Sequence, residues 1–261
     1  ILAITQVAVV CNLLFQMMMG RALSPEEYGV MASMMGLITI VFYPIESVRT
    51  AVAHFSARLI QEGHIGEIKL LVWRWVMRVS AVAVPAGVLG ILFSRPLAHF
   101  FNIPTALPVI LMCFTVAIIP LLPIFIGALQ GVQSFVWMSF TMHGWTIVRL
   151  AVAAALVYSL KPVAELGLAG QAASIVFGVL FGIVALRLAL GPMREPGVRP
   201  RGVAEYFFRS LIILSGFAWL MNADIILVKH YFEPLEAGYF ARAGTIGRAM
   251  IYLPMPIAMA M

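Results

Sequence analysis

Apolar stretches of about twenty residues recur along this chain, separated by short polar punctuation. That is the spacing membrane-spanning helices require. The pattern predicts eight helical spans. Span 1 covers roughly 1–20 and carries Gln6, Asn12 and Gln16 among apolar residues. Span 2 begins after Gly29 and runs to about Ala57, with a bend at Pro44. A basic segment with Arg58, Lys69, Arg74 and Arg78 leads into span 3 at about 72–94. The segment SRPLAHFFNIP that follows has the aromatic and proline content of an interfacial turn. Spans 4 and 5 lie within 107–159, joined by a turn around GALQGVQSF. Pro108, Pro120 and Pro123 predict a kinked or broken span 4. Span 6 covers about 167–187, span 7 about 208–229, and span 8 starts near Gly238 and reaches the end of the chain.

Composition agrees with this pattern. Of 261 residues, 62% are hydrophobic and 11% charged, against the ~25% charge of soluble domains; mean hydropathy is +1.01. A β-barrel would show alternating segments of about ten residues instead. Both cysteines, Cys11 and Cys113, sit in apolar runs, so the sequence implies no disulfide or metal framework. The clearest linker is GPMREPGVRPRG at 191–202, rich in Pro, Gly and Arg. It divides the chain into 1–190, a linker over 191–207, and 208–261.

Loop charge predicts orientation. The connections 2–3 and 6–7 carry nine Arg and Lys residues: Arg58, Lys69, Arg74, Arg78, Arg187, Arg194, Arg199, Arg201 and Arg209. The opposite loops carry four: Arg21, Arg95, Lys161 and Lys229. The positive-inside rule then puts the basic connections in the cytoplasm, and the hairpin ALSPEEYGVMA at 22–32 faces outward.

That hairpin has an echo. Pro25, Glu27, Gly29 and Ala32 match Pro234, Glu236, Gly238 and Ala241 at a constant offset of 209 residues. Each mark separates an odd span from an even one, in the same orientation. This is the signature of a parallel repeat about an axis along the membrane normal. Locally, Ser24 and Glu27 form a capping-box pattern with Pro25 at the first helical position.

The segments LSPEEYG, GALQGVQSF and NADIILVKHYFEPLEAGYFARAGTIGRAMIYLP carry a resemblance over essentially the whole chain. It resembles the polysaccharide-export (O-antigen-type) flippases of the multidrug/oligosaccharidyl-lipid/polysaccharide exporter superfamily. The resemblance implies an all-α, polytopic helical bundle: one six-helix lobe plus the first two helices of a second, the chain being an N-terminal fragment. It also implies a bacterial cytoplasmic (inner) membrane location and transport of lipid-linked oligosaccharide, often on undecaprenyl pyrophosphate, by alternating access. Implied partners are that substrate and membrane lipids, with a polysaccharide polymerase and Na+ or H+ coupling as further candidates. No cofactor and no nucleic acid are expected.

Charges inside spans mark candidate sites, because a mid-bilayer charge is expensive and faces a cavity or a partner. The candidates are Arg49, Arg149, Arg242 and Arg248, with Glu46 and Asp224 as acidic counterparts and Asn222 as a polar neighbour. At 1.5 Å per residue, Arg248 lies ~15 Å beyond Gly238 and Arg242 only ~6 Å. Asp224 reaches a depth similar to Arg242, so these two are expected to pair. Arg248 is then the leading candidate for an anionic substrate group; pairing beyond this chain or with lipid phosphate is the alternative. Arg49 has Glu46 at i−3, which suits mutual neutralisation, snorkelling to the inner surface or a cavity role. Arg149 suits a cavity or a structural pair. His143, His54 and Asn222 read as helix-packing polar groups or cavity lining. Gly170, Ser174, Gly178 and Gly182 form a small-residue packing stripe. The methionines at 17–19 read as packing residues.

Three functions are compared. A flippase needs basic groups for a pyrophosphate; four in-span arginines against two carboxylates fit it. A cation-coupled multidrug exporter favours buried carboxylates, and Asp224 and Glu46 leave it open. A membrane enzyme needs a catalytic constellation, and none stands out in the sequence. A lipid II flippase is a close variant of the first.

Overall fold

The computed structural model describes residues 2–191 and 203–252, with side chains described at 3–191, 215, 216 and 219–247. Helices α1 (Leu2–Ala22) and α2 (Pro25–Gln61) form the first hairpin, followed by α3 (Glu67–Leu92) and the short α4 (Ser94–Phe100). Then come α5 (Leu107–Ile118), a 3-10 turn (Ile119–Leu121) and α6 (Leu122–Gly131). The rest is α7 (Phe135–Ser159), α8 (Ala164–Leu190), α9 (Val203–Tyr231) and α10 (Pro234–Tyr252). No strand occurs among the described residues. Within them, six helical segments are long and apolar enough to cross a membrane: α1, α2, α3, the α5–α6 unit, α7 and α8. The protein is an all-α, multi-pass membrane protein.

The element ends follow from local chemistry. Ser24 has extended backbone (φ −62°, ψ 162°), and its Oγ accepts from the Glu27 N–H at 3.2 Å, which starts α2. Helix α2 therefore begins at Pro25, earlier than the sequence suggested, and continues through Pro44 to Gln61. The reciprocal arm of the expected capping box is not formed. The Glu27 carboxylate instead accepts from the Ala164 N–H, 2.6 Å away, at the start of α8. At the other end of α8, Lys69 Nζ donates to the Gly191 carbonyl at 2.8 Å. An acid at the N-terminus and a base at the C-terminus both match the helix dipole. Helix α8 is thus braced at both ends by its neighbours.

Span 4 is broken as expected. Pro108, Pro120 and Pro123 each fall in the first turn of a helical segment, respectively α5, the 3-10 turn and α6. There the missing N–H costs little. GALQG remains helical in α6, and only 132–134 form the turn to α7. Gly127 and Gly131 put α6 directly on α2: a Cβ on Gly127 would stand 2.4 Å from the Arg49 carbonyl oxygen, and one on Gly131 2.4 Å from Ser56 Cβ.

The stripe on α8 packs as expected. Gly170 lies against Ala153, Gly178 against Trp145 and Leu122, and Gly182 against Phe125 and Thr141. The buried apolar residues form two clusters. One gathers Phe15, Met19, Tyr28, Met31, Met34 and Leu168 toward the α1–α2 turn. The other gathers Val52, Phe55, Leu71, Trp75, Leu122 and Leu129 toward the α2–α3 turn. Met19 is buried and Met18 packs against the first cluster, as expected, whereas Met17 is exposed. Helix α3 instead exposes Trp73, Met77, Val82 and Leu92, a surface suited to lipid.

The linker residues 192–202 lie outside the described residues, and α9 already begins at Val203, inside the expected 191–207 linker. Helix α9 packs closely along α2, where Gly36 admits Ile225: a Cβ on Gly36 would meet Ile225 Cγ2 at 3.0 Å. Helix α10 crosses α2 near its start.

Candidate functional site

The three described in-span arginines are held in three places. The first is an enclosed box around Arg149, whose side chain is 7% exposed. Arg149 Nη1 donates to Gln171 Oε1 on α8 at 3.0 Å, and Nη2 donates to Asn12 Oδ1 on α1. Its guanidinium carbon stacks over the Phe15 ring, 4.2 Å from the centroid, and lies 5.4 Å from that of Trp145. Nearby, Thr5 Oγ1 and His143 Nε2 are 3.3 Å apart. Among the described residues, two side-chain amides and two aromatic faces, but no carboxylate, surround this cation. It ties α1, α7 and α8 together, and no described acid compensates its charge.

The second place is the α2–α6 crossing. Arg49 Nε donates to Glu46 Oε2 at 2.5 Å, and Nη1 donates to Gln130 Oε1 at 2.9 Å. The mutual neutralisation of Arg49 and Glu46 is therefore present. Gln130 lies within one turn of the α6–α7 connection, on the same side as the basic 2–3 loop, so the pair sits toward the end of α2 nearest that loop.

The third is the seam between the two echoed hairpins. Arg242 Nη2 donates to the Leu23 carbonyl at 2.8 Å, just beyond the C-terminus of α1, and its guanidinium carbon lies 5.8 Å from the Tyr28 ring centroid. A cation is favoured at that helix end. The expected Asp224–Arg242 pair is thus not formed: the Arg242 fork is engaged by the Leu23 carbonyl and the Tyr28 ring instead. The Tyr28 hydroxyl donates to Gln16 Oε1 at 3.0 Å and lies 2.8 Å from Thr245 Oγ1. One phenol therefore links α1, α2 and α10. Gly29 and Gly238 allow this seam to close.

Asn222 is buried and Asp224 exposed on α9. His54 is exposed on α2. The side chain of Arg248, the leading sequence candidate, lies outside the described residues. No cluster of metal-ligating side chains occurs among the described residues.

Asn12, Gln16, Gln171, Gln130 and Tyr28 hold these groups in roles that their positions in the chain did not mark. The available signal was a polar residue in an apolar helix at a depth matching an arginine on another helix. The opposite ends of the helices hold one further group. Lys229, counted only as a loop charge, is 1% exposed, and its Nζ has no hydrogen-bond partner.

Comparison with protein-family models, with curated proteins and with solved structures finds no match.

Proposed function

We propose that this protein is a transporter that moves an anionic, lipid-linked oligosaccharide across the bacterial cytoplasmic membrane. One observation carries the reading: Arg149 and Arg242 are held by neutral oxygens and aromatic faces rather than by carboxylates. Their positive charge stays uncompensated locally, whereas Arg49 is neutralised by Glu46. A membrane interior that keeps excess positive charge suits a pyrophosphate-bearing cargo. The contact between the echoed hairpins adds support, since two halves related about the membrane normal, rocking around a central site, are a transporter arrangement. On this reading Arg242 supplies positive charge for the cargo at the seam between the hairpins, and Arg149 organises the helices around it.

The cation-coupled exporter would build its site on in-span carboxylates; Glu46 is already paired with Arg49, which leaves that reading to rest on Asp224 alone, against the excess of in-span arginines. A lipid II flippase would use the same pyrophosphate chemistry. The test is complementation. The complete gene is expressed in strains lacking either the polysaccharide flippase or the lipid II flippase, with Arg242→Ala and Arg248→Ala alongside. Restored surface glycan in the first strain, lost in both variants at equal protein level, is the expected result. No rescue of either strain, or resistance to cationic dyes without glycan rescue, overturns it. Rescue of the second strain alone assigns the lipid II cargo.

A further inference from the structure

A cavity of about 410 Å³ opens where the start of α2, the segment after α4 and the α9–α10 turn converge. That volume is within the range of small-ligand sites. It lies at the end of the bundle opposite the basic 2–3 connection. Its apolar wall includes Val30 and Ile103, and its charged groups are Lys229, Glu26 and Glu27, with His99 at the rim.

Lys229 is the decisive group. It is almost fully enclosed, yet its ammonium makes no hydrogen bond. Glu26 and Glu27 attract it through space without bonding to it. Burying an ammonium without acceptors is costly, so a residue kept there fits a site whose acceptors arrive with a ligand. Glu27 spends one oxygen on the Ala164 N–H, while Glu26 is exposed. A simple anion in this cavity would meet two carboxylates, and a simple cation would meet the lysine. A ligand carrying an anionic group and an ammonium a few bonds apart satisfies both.

We propose that the cavity binds a zwitterionic phosphoethanolamine group, with its phosphate on Lys229 and its ammonium toward Glu26 and Glu27. The cavity lies at the ends of apolar helices, where a spanning bundle meets phospholipid headgroups, which makes the lipid the first source to test; free O-phosphoethanolamine is the second.

The experiment titrates the purified full chain with dioctanoyl-phosphatidylethanolamine, dioctanoyl-phosphatidylglycerol or O-phosphoethanolamine and follows the thermal unfolding midpoint. Saturable stabilisation by the ethanolamine lipid, stronger than by the glycerol lipid, is expected. Lys229→Met fills similar volume without charge, so it stays folded, and it should weaken that response at least about tenfold, the loss expected for a charge-assisted bond. Lys229→Arg should restore most of it. Glu26→Gln should narrow the preference for ethanolamine over glycerol. An equal response of Lys229→Met and the unaltered protein overturns the proposal, as does equal stabilisation by both lipids. A matching response to O-phosphoethanolamine supports the same chemistry with an aqueous source.

Discussion

Gly29 and Gly238 meet backbone to backbone. A Cβ on Gly29 would stand 3.0 Å from the Gly238 Cα, and one on Gly238 would stand 2.0 Å from the Pro25 carbonyl oxygen. These are equivalent positions of the echoed marks LSPEEYG and EPLEAGY. The two copies of one sequence signal therefore pack on each other, as elements near a two-fold axis do. Each glycine is required by the other helix rather than by its own turn.

Gly238→Ala is accordingly expected to separate α10 from α2 and destabilise the protein by about 1–3 kcal/mol, the range of overpacking changes. Gly244, on the same helix, has open space around it. Gly244→Ala should leave stability unchanged or raise it by up to ~1 kcal/mol through helix propensity. Thermal unfolding of both variants in detergent checks the contrast; equal effects would refute the tight crossing.

The Arg149 box predicts strong coupling. Asn12→Ala strips one acceptor from an enclosed cation and should cost about 1–3 kcal/mol. With Arg149→Met already present, the same change should cost much less, because no cation is left unsatisfied. A double-mutant cycle on unfolding free energy measures this, with a coupling of at least ~1 kcal/mol expected. Arg149→Lys should not rescue, since an ammonium lacks the planar fork that reaches two amides at once.

Tyr28→Phe removes one hydroxyl that links three helices. The expected cost is about 1 kcal/mol or slightly more. It should appear together with faster hydrogen exchange around Thr245 within α10, which loses its tie to α1 through that residue. Exchange confined to α2 would contradict the bridging role.

Gly127→Val should be among the most damaging changes in the first half of the chain. Its side chain would enter the Arg49 backbone across the α2–α6 crossing and displace Gln130 from Arg49. Loss of folded yield, measured by size-exclusion chromatography in detergent, is the expected outcome. Gly144→Val, at an open position, serves as the control.

Much of this architecture was legible from the chain. Apolar length announced the spanning helices, three prolines announced the break between α5 and α6, and Ser24–Pro25 announced the start of α2. These are local rules in which neighbours in sequence decide the outcome. The stripe Gly170–Ser174–Gly178–Gly182 was equally legible, because a close-packed helix face needs small residues whatever lies opposite.

The partners of the charged groups were not legible in the same way. Depth arithmetic put Asp224 level with Arg242, but it contains no information on which way either helix is rotated. The rotation turns Arg242 toward the α1 carbonyls and encloses Arg149 among Asn12, Gln171 and two rings. It also places Lys229 in a cavity with Glu26, more than two hundred positions away in the sequence. By itself the sequence determined that this chain is a bundle of membrane helices with an echoed hairpin, because hydrophobic length and helix-start chemistry act locally. Only the tertiary structure decided which cations are neutralised and which stay charged, because that depends on side-chain direction at helix crossings between distant segments.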